Sequence, residues 1–361
     1  MLDKKKVVVG MSGGVDSAVA AYVLKEQGYE VIGITMKLWE EDEENYAEDY
    51  GGCCSLSSVE DARLVCEKLD IPFYVINYNE RFIETVVDNF IDEYLNGHTP
   101  SPCIRCNKYI KFDELLKTAH GLGAYYVATG HYGIIGYNED LDRYTISKSK
   151  ELRKDQTYMM YSLSQDQIKH TLMPLGVFES KEEVRQIAER EDLIVARKND
   201  SQEICFVIDD DYARFVKEHS KKKIPKGKFV DLEGNVLGDH KGIIHYTIGQ
   251  RKGLGVTFGK PMYVVEIRPK TNEVVLGDND DVFKTELTAK EFNIITKKEL
   301  TEPLQCDGKV RYSSKTAPCT IYPLEGDRIK AVFDQPQRAV TPGQSVVFYD
   351  GDLLLGGGVI E

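Results

Sequence analysis

The stretch Lys6-Val7-Val8-Val9-Gly10-Met11-Ser12-Gly13-Gly14-Val15-Asp16-Ser17 decides the fold. A short β-branched run, Lys6–Met11, reads as a buried strand, and Asp16–Gln27 reads as a helix with Ala18, Ala21, Tyr22 and Leu24 on one side. The loop between them carries adjacent glycines, which permit positive φ and close approach, so its amide N–H groups and the helix start can hold a phosphate. No Lys-Ser or Lys-Thr follows the glycines, so this is not the common Walker loop.

Outward from that unit the same alternation continues. Val31–Met36 reads as a second strand and Val59–Leu69 as a helix, with Ser57 and Glu60 in capping-box spacing. Phe73–Asn77 and Tyr125–Thr129 read as a third and a fourth strand. Strand–helix–strand repetition with short turns implies an α/β fold built on a doubly wound parallel sheet. His98–Cys106 reads as a loop, and residues 164–192 read as helical. After about residue 208 the character shifts to a basic, turn-rich link (Lys221–Lys228) and then to short strands. Residues 285–361 alternate β-type runs with Gly, Pro and Asp turns, which suggests a small β-barrel. The expected organisation is a catalytic domain at 1–208, a small central domain at 209–284 and a C-terminal barrel at 285–361.

The length of 361 residues suits two or three domains. No apolar run approaches the ~18 residues of a membrane span, and the start does not read as a secretory signal, so the expectation is a cytoplasmic protein without a membrane partner. The net charge of −13 argues at first against nucleic acid. However, residues 1–100 hold 8 basic and 20 acidic side chains, whereas residues 101–361 hold 38 and 39. The acidity is local to the N-terminal part, and the later segments have room for basic patches.

Eight cysteines without an export signal point away from a disulfide framework. Cys66 falls on the Val59/Ala62/Cys66/Leu69 face and reads as core, and Cys306 and Cys319 read as barrel packing. Cys106 closes the loop and opens a helix beside Lys108, a setting that favours thiolate. Cys205, flanked by Ile204 and Phe206, reads on its own as a buried strand residue. Cys103 and Cys106 make a Cys-x-x-Cys, which with Cys205 offers three ligands for an iron–sulfur cluster.

The loop Ser12–Ser17 resembles the SGGxDS signature of the ATP pyrophosphatase (PP-loop) superfamily. With Gly52-Cys53-Cys54-Ser55, Thr99–Phe112, Ala128-Thr129-Gly130-His131-Tyr132, Lys154-Asp155-Gln156, Cys205-Phe206, Tyr246–Gly253, Val310-Arg311-Tyr312 and Pro342-Gly343-Gln344, the whole chain resembles the bacterial tRNA-specific 2-thiouridylases. The resemblance implies an adenine nucleotide alpha hydrolase-like domain, a small central domain and a C-terminal barrel. It implies ATP and Mg²⁺, and thiolation of the wobble uridine in tRNAs for lysine, glutamate and glutamine. A cysteine desulfurase or a sulfur-relay protein would donate the persulfide. By the same resemblance Gly10, Met11, Ser12, Gly13, Gly14, Val15, Asp16, Ser17, Met36 and Gly130 would hold ATP. Cys106 would be the nucleophile and Cys205 the persulfide carrier, with a Cys106–Cys205 disulfide in the cycle. His131, Lys154, Asp155, Gln156, Arg311, Tyr312 and Gln344 would touch tRNA. Some members carry Asp where this chain has Cys103, which leaves that acid/base role open here. The alternatives are another PP-loop ATP-dependent synthetase or amidotransferase acting on a small metabolite, an iron–sulfur version of the thiolase, or a non-catalytic tRNA-binding or redox-sensing protein.

Overall fold

The computed structural model describes residues 2–39, 56–199, 204–207, 209, 211–256 and 259–361. The Gly52–Ser55 motif with Cys53 and Cys54 lies outside the described residues, as do residues 200–203 ahead of Cys205.

Strands β1 (Asp3–Gly10), β2 (Glu30–Lys37), β3 (Phe73–Asn77), β4 (Ala124–Ala128) and the two-residue β7 (Thr171–Leu172) form one parallel sheet in the order β3-β2-β1-β4-β7. The alternation of β1 explains its central place: Val7 and Val9 enter one core and Val8 the other, all fully buried. Helix α1 (Val15–Glu26) packs into the first of these cores, and burial reaches well beyond the single face that periodicity suggested. Ala18, Val19, Ala20 and Ala21 are all buried, because small side chains let the helix wedge between neighbours. Helix α2 (Leu56–Lys68) contributes Ala62, Val65 and Cys66 to that core, and burial pushes the Cys66 thiol up to about 12. Ser57 and Glu60 lie inside α2 rather than at its cap.

Two long helical stretches follow, α3 over residues 79–95 and α4 over residues 102–121. Helix α4 corrects the expected loop: it opens at Pro102, runs through Cys106 in ordinary α geometry, and continues as a π-helical stretch at Asn107–Glu114. Proline suits the first helical position because its missing N–H needs no partner there. The expected helix at 164–192 is interrupted. Helix α5 (Gln165–Lys169), capped by a Ser164/Gln167 capping box, gives way to β7 and a 3₁₀ turn at Pro174–Val177 before helix α6 (Lys181–Arg190). Proline and glycine at 174 and 176 break the period.

The central domain follows helix α7 (Tyr212–His219) and holds a four-stranded sheet in the order β10-β11-β8-β9, from β8 (Gly227–Val230), β9 (Val236–His240), β10 (Tyr263–Arg268) and β11 (Glu273–Gly277). The C-terminal barrel is closed: β12 (Phe283–Ile294), β15 (Ile329–Arg338), β14 (Ala317–Pro323), β13 (Leu304–Lys309), β16 (Ser345–Asp350) and β17 (Leu353–Ile360) pair in that order, and β17 pairs back to β12. A hairpin from the first domain, β5 (Ile134–Asn138) and β6 (Arg143–Ser147), joins the barrel through Ser147 and Leu353. Inside it Cys306 and Cys319 stand directly opposite each other, Sγ to Sγ 3.7 Å, without a bond. Arg311 ties barrel to central domain. Its guanidinium donates to the carbonyls of Ala339 (3.1 Å) and Ile248 (2.9 Å) and to the Thr341 hydroxyl.

Candidate active site

The sheet order reverses at β1, which puts the crevice for a ligand outside the carboxyl ends of β1 and β4. The Ser12–Ser17 loop leaves β1 at that point, and Gly130-His131 leaves β4 beside it. The loop is held in shape by its own hydroxyls. Ser12 N–H donates to Ser17 Oγ (3.1 Å), Ser17 Oγ donates to the Gly14 carbonyl (3.1 Å), and the two hydroxyls lie 3.2 Å apart. Gly13 has φ +67°, and a methyl group there would lie 2.2 Å from the Ser58 carbonyl oxygen. At Gly130 a methyl group would lie 2.7 Å from the Asp16 carbonyl carbon and 2.8 Å from the Ser17 nitrogen. These two glycines therefore let α2 and the β4 loop close onto the start of α1, whose first N–H groups have no acceptor within the helix.

Asp16 is the carboxylate on this loop. It accepts from the Tyr132 hydroxyl (2.8 Å) and from Lys181 Nζ (2.6 Å) at the start of α6. Met36 and Leu115 flank Gly10, where a methyl group would lie 3.5 Å from Met36 Cε and 3.4 Å from Leu115 Cδ2. Leu115 belongs to α4, so the cysteine-bearing helix is seated directly on the strand that feeds the loop.

Cys106 is 7% exposed and belongs to an apolar core shared with α3 and the central domain. Cys205 is half-buried and packs against that same core, in a turn closed by Val207 N–H to the Ile204 carbonyl. Phe206 pins this turn. It is 1% exposed, and its ring meets Trp39, Phe82, Phe90 and Phe215 at centroid distances of 5.2–6.3 Å. Cys103 differs from Cys106: it is exposed on the first turn of α4. The crowding there pushes its thiol up, and the Lys111 ammonium opposes that rise.

His131 follows Gly130 at the exit of β4, and the same Lys111 ammonium acts on it. Its Nδ1 is 2.7 Å from Thr129 Oγ1, and its ring is 5.9 Å from that of Phe112. Burial, and secondarily Lys111, hold its imidazole well below the ordinary value, so it stays neutral through the physiological range. In the unfolded chain it would take up a proton as pH falls through about 6.5, so it subtracts stability only below that pH. The activity–pH profile is therefore expected to show no His131 ionisation between pH 6 and 8. Profiles of wild type and His131→Gln with the same inflections would show this, whereas loss of an inflection near pH 6.5 in the variant would contradict it.

Of the residues that the resemblance assigns to tRNA, Gln156 is doubly bonded to Tyr132, accepting its N–H at Oε1 (3.0 Å) and donating its backbone N–H to the Tyr132 carbonyl (2.9 Å). Asp155 accepts from Ser149 N–H (3.0 Å) and Thr157 Oγ1 (2.8 Å), and burial raises its carboxyl. Tyr312 is exposed, and its hydroxyl donates to the Asp155 carbonyl (3.2 Å), which ties the barrel to the Lys154–Gln156 loop. Arg311 and Gln344 are turned to protein partners: Gln344 Nε2 donates to the Thr99 carbonyl (2.8 Å), immediately before α4. Lys154 is half-buried beside Asp155.

Residues 5–209 match the family described as tRNA methyl transferase HUP domain, 213–278 the accompanying PRC-barrel domain, and 284–360 the aminomethyltransferase beta-barrel domain. The tRNA-specific 2-thiouridylase MnmA of Clostridioides difficile strain 630 is 59% identical over 361 residues, covering all of this chain and 99% of that protein. The chain belongs to the tRNA-specific 2-thiouridylase family. The same-named protein of Acetivibrio thermocellus is 56% identical over 360 residues, covering 100% of both chains. A U34-tRNA thiolase, NcsA, from Methanococcus maripaludis, solved with its 4Fe–4S cluster, superposes with a TM-score of 0.35 at 20% identity, over 56% of this chain and 63% of its own; a likeness of that extent carries no argument.

The donor set of this thiouridylase does not fit a cluster as folded. Among the described residues no group of three or more His, Cys, Asp or Glu side chains converges as metal ligands, so Cys103, Cys106 and Cys205 are not gathered into one. A Mg²⁺ ion accompanying a nucleotide needs no such cage, because phosphate oxygens and one or two carboxylates suffice. Asp16 fits that part. Nothing in the local sequence pattern points to Lys181, Lys111 or the ring cluster around Phe206. Lys111 and Phe206 stand inside motifs already noted, but Lys181 reaches Asp16 from 165 residues away and has no local signal. No helix among the described residues is long and apolar enough to cross a membrane.

Proposed function

We propose that the chain thiolates the wobble uridine of tRNAs for lysine, glutamate and glutamine at C2, consuming ATP and releasing AMP and pyrophosphate. The observation that carries this reading is the contact of the cysteine helix with the switch-point loop: Leu115 of α4 lies against Gly10, and Gly130 lies against Asp16 and Ser17.

In this reading the residues Gly10–Ser17, Met36 and Gly130 cradle ATP, with the amides of the loop and of the α1 start on the phosphates. The uracil C2 oxygen attacks the α-phosphorus and pyrophosphate leaves, which turns a poor leaving group into AMP. Asp16 would hold Mg²⁺, which offsets phosphate charge when bound. Lys181 and Tyr132 fix the Asp16 carboxylate. Sulfur then comes from a persulfide on Cys205, loaded by a cysteine desulfurase or a relay protein. Cys106 either attacks C2 and is displaced by that sulfur, or reduces the persulfide so that bound sulfide attacks. Either way AMP leaves and Cys106 and Cys205 end as a disulfide that a reductant must open. In this reading His131, Lys154, Asp155, Gln156 and Tyr312 would meet the extruded base and its tRNA, and Arg311 and Gln344, bonded to protein partners, would support that surface.

tRNA-dependent release of pyrophosphate from ATP tests the reading; release without tRNA, driven by a small metabolite, would favour a synthetase instead. The basic link supplies a second check. Lys221, Lys222, Lys223 and Lys226 are exposed. Replacing all of them with glutamine is expected to weaken tRNA binding and flatten the log–log salt slope by up to about 3. An unchanged slope would make the link a solvated connector only.

A further inference from the structure

We propose that Cys103 is the resolving thiol of the catalytic cycle: it takes Cys106 out of its disulfide with Cys205 and presents the oxidised pair where a reductant can reach it. This rests on the thiolation reading above.

The two sulfurs assigned to the chemistry are badly placed for a reductant. Cys106 is 7% exposed and Cys205 half-buried, and both pack on one apolar core under the Phe206 ring cluster. A disulfide between them would close inside the protein, and every turnover leaves one behind. Cys103 is the thiol of this trio that is open to water. It stands one helical turn before Cys106 on α4, so the two share a helix face, with Cβ atoms about 5–6 Å apart. A disulfide needs about 3.5–4.5 Å, so the turn must tighten by an ångström or two. That turn is the first of the helix and runs directly into the π-helical stretch at Asn107–Glu114, where the regular hydrogen-bond ladder is already broken.

The step balances without an outside oxidant. The Cys103 thiolate attacks Cys106 Sγ, the Cys106–Cys205 bond breaks, and Cys205 leaves as thiolate and takes up the proton that Cys103 lost. One disulfide replaces another, and Cys205 is free for the next persulfide while its neighbours are reduced. A protein dithiol of the thioredoxin class then supplies two electrons and two protons to the Cys103–Cys106 pair. Lys111 stands near enough to favour the attacking thiolate, although burial opposes it.

The test counts 2-thiouridines per enzyme with unmodified tRNA, Mg-ATP and a desulfurase–cysteine system, using a thioredoxin-class reductant. Wild type is expected to turn over repeatedly. Cys103→Ser and Cys103→Ala are expected to make about one 2-thiouridine per enzyme at the wild-type first-turnover rate and then stall, with steady turnover reduced at least ~10-fold. Peptide mapping of the stalled enzyme should show a Cys106–Cys205 link, and a small dithiol at high concentration should restore turnover. Sustained turnover by both variants would overturn the proposal, as would a first turnover slowed along with the rest. Iron that co-purifies anaerobically in proportion to Cys103 would also overturn it. No 2-thiouridine from wild type would instead remove the thiolation reading itself.

Discussion

Alanine at Gly130 is expected to lower tRNA-dependent pyrophosphate release by about 100-fold while the chain still folds. The added methyl group would stand 2.7–2.8 Å from the backbone of Asp16 and Ser17, a separation that carbon atoms do not tolerate. Backbone rather than a flexible side chain must give way, so the loop and the first turn of α1 move together. A displacement of about 1 Å in a positioning element costs on the order of 10²-fold in rate. Gly13→Ala is the companion test, since it combines φ +67° with a 2.2 Å overlap on Ser58. Pyrophosphate release and thermal melting read the two effects separately. Unimpaired release from a folded Gly130→Ala protein would place nucleotide chemistry elsewhere.

Phe206→Ala is expected to cost about 3–5 kcal/mol of stability and to lose sulfur transfer beyond what that loss explains. The ring is 1% exposed at the centre of an aromatic cluster contributed by β2's exit, α3 and α7. Deleting it leaves a cavity and frees the Ile204–Val207 turn that presents Cys205. Denaturant unfolding gives the first quantity. The second is the yield of 2-thiouridine against pyrophosphate at a temperature where the variant remains folded. Equal loss of both products would mean that Phe206 serves only the fold.

Much of the architecture was legible in the sequence because it follows local rules. Val7–Val9 alternate between two cores, and Gly13 and Gly14 stand where a strand must turn sharply into a helix. Phe73–Asn77 coincides with β3 as found. The misreadings have physical causes. Two cysteines and two prolines made His98–Cys106 look like a loop, yet Pro102 is a helix starter. In strand β17 the glycine at 357 is required by close packing, since a methyl group there would lie 2.6 Å from the Val346 carbonyl oxygen and 2.8 Å from the Tyr161 ring. The functional side chains divide in the same way. Gly130 and Asp16 announce themselves within their motifs, but their mutual contact does not. The inward turn of Arg311 and Gln344, and the reach of Lys181 to Asp16, are long-range facts that no local pattern encodes.

The most direct test of the account is nucleoside mass analysis of unmodified tRNA for glutamate after incubation with Mg-ATP, a cysteine desulfurase and cysteine. Wild type, Cys106→Ser and Cys205→Ser are compared, and pyrophosphate is measured in the same samples. The account predicts 2-thiouridine from wild type alone, with tRNA-dependent pyrophosphate retained by the Cys205 variant. Wild type that releases pyrophosphate but forms no 2-thiouridine, or 2-thiouridine formed without Cys205, would contradict it.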